Sequence, residues 1–308
     1  MRATKPSPRE AALEAIFAHL ATPPTETDPL SGIRSSTENY SMGQRGRGAE
    51  QCKEIEVRIG DRPAVWLAPP GARDDLRLVH LHGGGWIAGS ITSHRAFAAE
   101  LAWRANAPVL LPSYRLAPEQ PYPAALEDAL SALRHAEAYS PAGLPSSVSV
   151  SVSGDSAGGN LAAALALKCA AIGSRGPDRI ALMSPLLALD LGKSAFSAPV
   201  HDPVVQQDGI DFVAAMYTNG ETERVPFIEP LMADSDLLQR LGPTLIQVSG
   251  AESLRNQALA FANRLWEVGV ETRLSIWPHL PHVWHVFLET LPDSRVAVAE
   301  AAAFLSES

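Results

Sequence analysis

A serine, a carboxylate and a histidine in that chain order, with a run of glycines upstream, are the residues here that could together attack an acyl carbon. The serine is Ser156, at the centre of Gly154-Asp155-Ser156-Ala157-Gly158. A Gly-x-Ser-x-Gly turn between strand and helix is so tight that the hydroxyl is left in the open. Side chains at its glycines would collide with neighbouring backbone. Val148, Val150 and Val152 alternate with serines upstream, a strand period, and Asn160 to Leu167 downstream is helix-forming. A purely structural Gly/Ser turn is the competing reading, so the weight rests on this setting.

Such a serine needs donors for a developing oxyanion, a base, and an acid to orient that base. His82-Gly83-Gly84-Gly85-Trp86 follows the expected strand Leu76 to Leu81. Its glycines can turn backbone N–H groups toward one point, so Gly83, Gly84 and Gly85 with Ala157 are the expected oxyanion donors. Each such donor is worth roughly 3–4 kcal/mol of transition-state stabilisation. The base is expected after the last strand, where Pro278 to His285 offers His279, His282 and His285. His282 is preferred, His285 comes next, and packing or surface roles suit the others. The acid should follow the strand Thr244 to Ser249, and Glu252 is the first carboxylate past it. A helix and a strand fit between Glu252 and His282. Glu252 as a mere helix-start residue favoured by the dipole is the bland alternative, and Asp234 and Asp236 are weaker candidates because they precede the strand.

His80 and His82 resemble paired metal ligands. No carboxylate accompanies them in sequence, however, and three glycines have no purpose in a metal site. No metal is expected. Neither Gly-x-Gly-x-x-Gly after a strand nor Gly-Lys-Ser/Thr after a glycine loop occurs, so no cofactor is expected either.

These residues need a scaffold, and 308 residues with 46% apolar and 19% charged content suffice for an elaborated α/β domain. A net charge of -9 argues against nucleic acid and anionic membrane surfaces as partners. Cys52 and Cys169 make no disulfide or zinc framework, which suits a reducing, cytoplasmic setting. Glu10 and Glu14 interrupt any signal-peptide core. Ser7, Pro8 and Glu10 instead read as a capping box opening a helix, with Leu13, Ile16, Phe17 and Leu20 at helical spacing. Residues 21–50, rich in Pro, Thr, Ser and Gly, read as a linker or loosely packed stretch.

From Ile55 strands and helices alternate, which predicts a mostly parallel sheet covered on both faces, after an antiparallel start. Strands are expected at 52–59, 63–68, 76–81, 107–112, 147–153, 179–183, 243–249 and 271–277. Helices are expected at 92–105, 123–139, 157–171, 253–268 and 293–306. Residues 186–241 are too long for a simple crossover. With Phe212, Val213, Met216 and Tyr217 at helical spacing, the interval reads as an insertion roofing a site, or as a decorative excursion. Helix 293–306 is apolar around much of its circumference, so it packs on the sheet or offers part of itself to a second copy in a homodimer.

From about residue 52 to the C-terminus the chain resembles the bacterial hormone-sensitive-lipase-like carboxylesterases of the α/β-hydrolase fold. The resemblance rests on His82 to Trp86, Gly154 to Asn160, Tyr114-Arg115-Leu116-Ala117-Pro118-Glu119, Pro121 to Ala125, and Pro281-His282. It implies an eight-stranded sheet, Ser156 as nucleophile, His282 as base, and oxyanion donors among the four residues named above. It also implies a helical cap made from the N-terminal helices of residues 1–50 and part of 186–241, over a catalytic domain spanning 51–308. Two departures stand out. Glu252 lies where Asp is frequent in the family, so its longer side chain must start about one methylene further back. Asn256 replaces a charge of unassigned role. The implied activity is hydrolysis of short-acyl esters without a cofactor. A lactone or an acetylated small molecule fits the same chemistry. Competing expectations are a non-catalytic ligand-binding protein on this scaffold and an interfacial lipase; amide hydrolysis is disfavoured because nothing recognises a nitrogen leaving group.

Overall fold

The computed structural model describes residues 6–141, 149–191, 202–219 and 226–307. Eight strands form one sheet in the order β1-β2-β4-β3-β5-β6-β7-β8. They are β1 (Lys53–Ile59), β2 (Arg62–Ala68), β3 (Leu76–Leu81), β4 (Val109–Pro112), β5 (Ser149–Asp155), β6 (Ile180–Met183), β7 (Thr244–Ser249) and β8 (Thr272–Trp277). The β1–β2 and β2–β4 pairs are antiparallel and the other pairs parallel, as the missing helix between the first two strands predicts. Strand alternation sends Trp66, Val79 and Val152 to one core and Val65, Leu67 and Leu78 to the other. Central strands β3, β5, β6 and β7 are buried almost throughout. Edge strand β1 instead carries Lys53, Glu54, Glu56 and Arg58, charges that discourage edge pairing.

The helices are α1 (Pro8–Leu20), α2 (Pro29–Glu38), α3 (Gly48–Gln51), α4 (Ile91–Ala105), α5 (Ala124–Ala138), α6 (Ala157–Ala171), α7 (Gln207–Thr218), α8 (Ser235–Leu238), α9 (Arg255–Glu267) and α10 (Pro292–Leu305). Helices α5, α6 and α9 share one core; α1, α4 and α10 share the other. The expected capping box opens α1, with Ser7 Oγ accepting from Glu10 N–H and Glu10 accepting from Ser7 N–H. Helix α10 packs inward through Ala297, Val298, Ala301, Phe304 and Leu305, and leaves Val296 exposed. No helix among the described residues is long and apolar enough to cross a membrane.

Two expectations need correcting. Residues 21–50, which by composition read as a linker or loosely packed stretch, hold α2 and the start of α3. Asp28 caps α2 by accepting the Ser31 N–H at 2.9 Å, a local device that offsets its Ser- and Thr-rich sequence. Strand β5 ends two residues later than expected because parallel pairing continues to Asp155 opposite Met183; positions 147 and 148 lie outside the described residues. Helix α7 occupies the apolar spacing noted at 212–217, while 192–201 and 220–225 of the same insertion lie outside the described residues.

Candidate active site

Ser156 sits between β5 and α6 at φ 53° and ψ -121°, a left-handed φ unusual for a residue with a side chain. Its N–H is anchored on the Met183 carbonyl at 2.9 Å. Close backbone approach explains the flanking glycines. A Cβ on Gly154 would stand 2.1 Å from the Gly158 oxygen. On Gly158 it would stand 2.0 Å from the Leu81 oxygen. The turn is thus wedged against the start of the glycine run that follows β3.

His282, in the loop after β8, has Nε2 2.9 Å from Ser156 Oγ and Nδ1 2.8 Å from Glu252 Oε2. Ser and His are 126 positions apart in the chain, so the fold alone brings them together. A carboxylate accepting from Nδ1–H leaves Nε2 free to accept from the hydroxyl. Glu252 is itself held: its Oε1 accepts from Ser249 N–H at 2.9 Å and from Ser184 Oγ at 2.8 Å. Burial pulls the His282 pKa down, but the hydrogen bond and charge of Glu252 outweigh it and the net displacement is upward. Burial raises Glu252 as well, against the donors from His282, Ser249 and Ser184.

The other candidates are elsewhere. His285 is fully buried with Nε2 3.1 Å from Gln247 Oε1, and His279 is exposed. Asp234 and Asp236 are exposed around α8. His80 and His82 have packing partners: His80 Nε2 lies 3.3 Å from Asp155 Oδ1, and His82 stacks on Tyr114 at 4.1 Å. Asn256 Oδ1 accepts from Arg255 Nε at 3.3 Å.

The expected oxyanion set narrows by one. Gly83 N–H donates to Asp155 Oδ1 at 3.0 Å, so it is committed elsewhere. Gly84, Gly85 and Ala157 are the candidates left from that set. Gly84 has φ 118° and Gly85 φ 61°, and a Cβ on Gly84 would stand 2.3 Å from the Ala88 oxygen. Burial alone would raise Asp155. His94 Nε2 at 3.3 Å and the neighbouring His80 oppose this and hold its carboxyl well below the ordinary range. Sequence reasoning missed Asp155, although it stands inside the serine pentapeptide.

Ser156 and His282 open on a cavity of about 290 Å³. Its walls include Ile33 and Thr37 of α2, Tyr40, Leu186, Val205, Ile210 and Val213 of α7, and Leu254. Helix α7 lies directly on the glycine loop. A Cβ on Gly85 would come 2.9 Å from Val213 Cγ1, and Trp86 stacks on Tyr217 at 4.4 Å. Arg34 of α2 donates Nε to the Ile87 carbonyl at 2.8 Å and makes two contacts with Glu119, at 2.9 and 2.7 Å. Helix α1 is not part of this wall. It packs on the opposite core, where Arg9 pairs with Asp293 of α10 at 2.9 Å.

A family profile described as alpha/beta hydrolase fold matches residues 78–286. The chain is 35% identical over 252 residues to an acetyl-hydrolase of Streptomyces hygroscopicus, covering 81% of each protein. It is 33% identical over 275 residues to the carboxylesterase NlhH of Mycobacterium tuberculosis, covering 86% of this chain and 82% of that one. Among solved structures, an esterase from the bacterial hormone-sensitive lipase family superposes with a TM-score of 0.84 at 32% identity, over 99% of both chains.

Proposed function

This chain belongs to the alpha/beta hydrolase fold family, with relatives of the hormone-sensitive-lipase type, and is a carboxylic ester hydrolase; we propose that it cleaves short-acyl esters through Ser156, His282 and Glu252. In this reading His282 Nε2 takes the Ser156 proton as Oγ attacks the ester carbonyl. The tetrahedral oxygen is met by the N–H groups of Gly84, Gly85 and Ala157. The imidazolium then protonates the leaving alcohol, an acyl-serine forms, and water activated by the same ring releases the acid. Glu252 stays ionised, holds the ring in one tautomer and stabilises its charged form.

The observation that carries this reading is the unbroken relay from Ser156 Oγ through His282 to Glu252, with contacts of 2.9 and 2.8 Å. Acyl length follows from space. A cavity of about 290 Å³ lies at the small end of ligand pockets, which run roughly 300–1,000 Å³. Its mostly apolar surface suits acyl chains of roughly two to six carbons, acetyl esters included. The cap over this cavity is α2 with the turn after it, together with α7, on a catalytic domain from residue 51 onward.

Two measurements test the proposal. A fluorophosphonate probe should label Ser156, and Ser156→Ala should abolish labelling and lower kcat by roughly 10³-fold or more. A rate survey of p-nitrophenyl esters should peak between two and six carbons. Labelling at another residue, or retained activity in Ser156→Ala, would overturn the assignment.

A further inference from the structure

Val283, immediately after the histidine, has φ 47° and ψ 45°. A β-branched residue in the left-handed region is an outlier that costs on the order of 1–3 kcal/mol and persists only where its surroundings over-determine it. The surroundings here grip the peptide unit between His282 and Val283 from both sides. Its carbonyl accepts the Tyr40 hydroxyl at 2.5 Å. Its N–H donates to Ser184 Oγ at 3.3 Å, and that same hydroxyl donates to Glu252 Oε1 at 2.8 Å. Ser184 is in turn fixed by its own N–H on the Gln247 carbonyl at 2.7 Å.

We propose that Tyr40 and Ser184 are positioning residues that clamp the 282–283 peptide, making the segment after α2 part of the apparatus that aims the base. The proposal rests on the reading of His282 given above. Tyr40 suits the task because its segment is anchored on both sides. Arg34 ties α2 to the glycine loop, and Gln44 Oε1 accepts the Glu289 and Thr290 N–H groups at 2.8 and 3.1 Å. The Tyr40 ring rests on buried Phe287, with centroids 5.7 Å apart. Without the hydroxyl, the strained turn loses one of its two grips and the peptide is held by Ser184 alone. The imidazole then drifts from both the serine and the carboxylate.

The charged and titratable groups bearing on His282 are Glu252 after β7, Asp155 at the end of β5, Asp202 ahead of α7, and His285 in its own turn. Burial and these carboxylates keep Tyr40 protonated far above neutrality. Tyr40→Phe therefore changes no charge, and any movement of the pH profile reports geometry.

The test is Tyr40→Phe in the full chain, beside wild type and Ser156→Ala, with p-nitrophenyl acetate as substrate and active sites counted by fluorophosphonate titration. Per titrated site, kcat should fall about tenfold, the scale of one lost hydrogen bond of about 1.4 kcal/mol, with KM within about twofold. The acidic limb of kcat/KM should move to lower pH as the contact with Glu252 loosens. The limb midpoint is read from active molecules alone, so partial misfolding does not mask it. Unchanged kcat per site and an unmoved limb, with or without a lower melting temperature, would overturn the proposal. Full activity in Ser156→Ala would instead overturn the parent reading.

Discussion

Asp155 reaches across from the end of β5 to accept the Gly83 N–H at 3.0 Å, so the residue before Ser156 holds the first glycine of the neighbouring loop. One backbone turn thereby sets both the Ser156 hydroxyl and the loop that faces it. Two histidines, His80 and His94, support the carboxylate from behind.

Removing that carboxylate should misplace the loop. Asp155→Ala is expected to lower kcat about 10²-fold with little change in KM, because a displacement near 1 Å is enough for such a loss. Asp155→Asn keeps an oxygen able to accept from Gly83 and should lose less, about tenfold. Steady-state kinetics on p-nitrophenyl acetate, corrected for titrated sites, would check the ordering. Equal rates in wild type and Asp155→Ala would refute it.

The pH profile follows from the upward displacement of His282. A base must be neutral to act, and a raised pKa keeps the proton on to higher pH. Activity should therefore decline as pH falls through a value above the ordinary 6.5. In Glu252→Gln the ring keeps its burial but loses the stabilising charge, so its pKa drops and the acidic limb shifts to lower pH. Maximal kcat should fall by roughly 10²–10⁴-fold. A limb that stays put in Glu252→Gln would show that Glu252 does not govern the imidazole.

Gly158 should tolerate no side chain. A Cβ there would stand 2.0 Å from the Leu81 oxygen and 2.4 Å from the His82 oxygen, both backbone. Gly158→Ala is expected to cost about 3 kcal/mol of stability or more and to damage activity beyond that loss. Gly209 in α7 has open space and a negative φ, so Gly209→Ala should stabilise by about 0.5–1 kcal/mol. Thermal melts of the two variants would show opposite signs.

Arg34 anchors α2 more through carbonyls than through charge. Its partner Glu119 is 51% exposed, and such an ion pair contributes about 0–1 kcal/mol. Glu119→Gln should accordingly change little. Arg34→Ala strips a donor from the Ile87 and Ala117 carbonyls and releases the wall carrying Ile33 and Thr37. KM should rise about three- to tenfold, a loss of roughly 1 kcal/mol of binding. Identical KM values for the two variants would refute the distinction.

Most of the sheet was legible from residue order, because strand and helix periods are local and the strands alternate with helix-length segments. The serine turn was legible as a local Gly-x-Ser-x-Gly pattern, although only Gly154 answers to a contact within the turn, while Gly158 answers to the distant Leu81 and His82 backbone. Helix α2 was not, since its Ser- and Thr-rich stretch has weak intrinsic preference and is held by the Asp28 cap and by Arg34 docked far along the chain.

The sequence by itself determined the alternation of strands and helices, the order serine, acid, histidine, and the glycine-flanked turn around Ser156, because each is written in residue order and local pattern. Only the tertiary structure decided which glycine amide Asp155 consumes, and that Tyr40 grips the peptide of a histidine 242 positions away. Those choices depend on the packing of distant loops at one end of the sheet, and no local pattern encodes the distance between them.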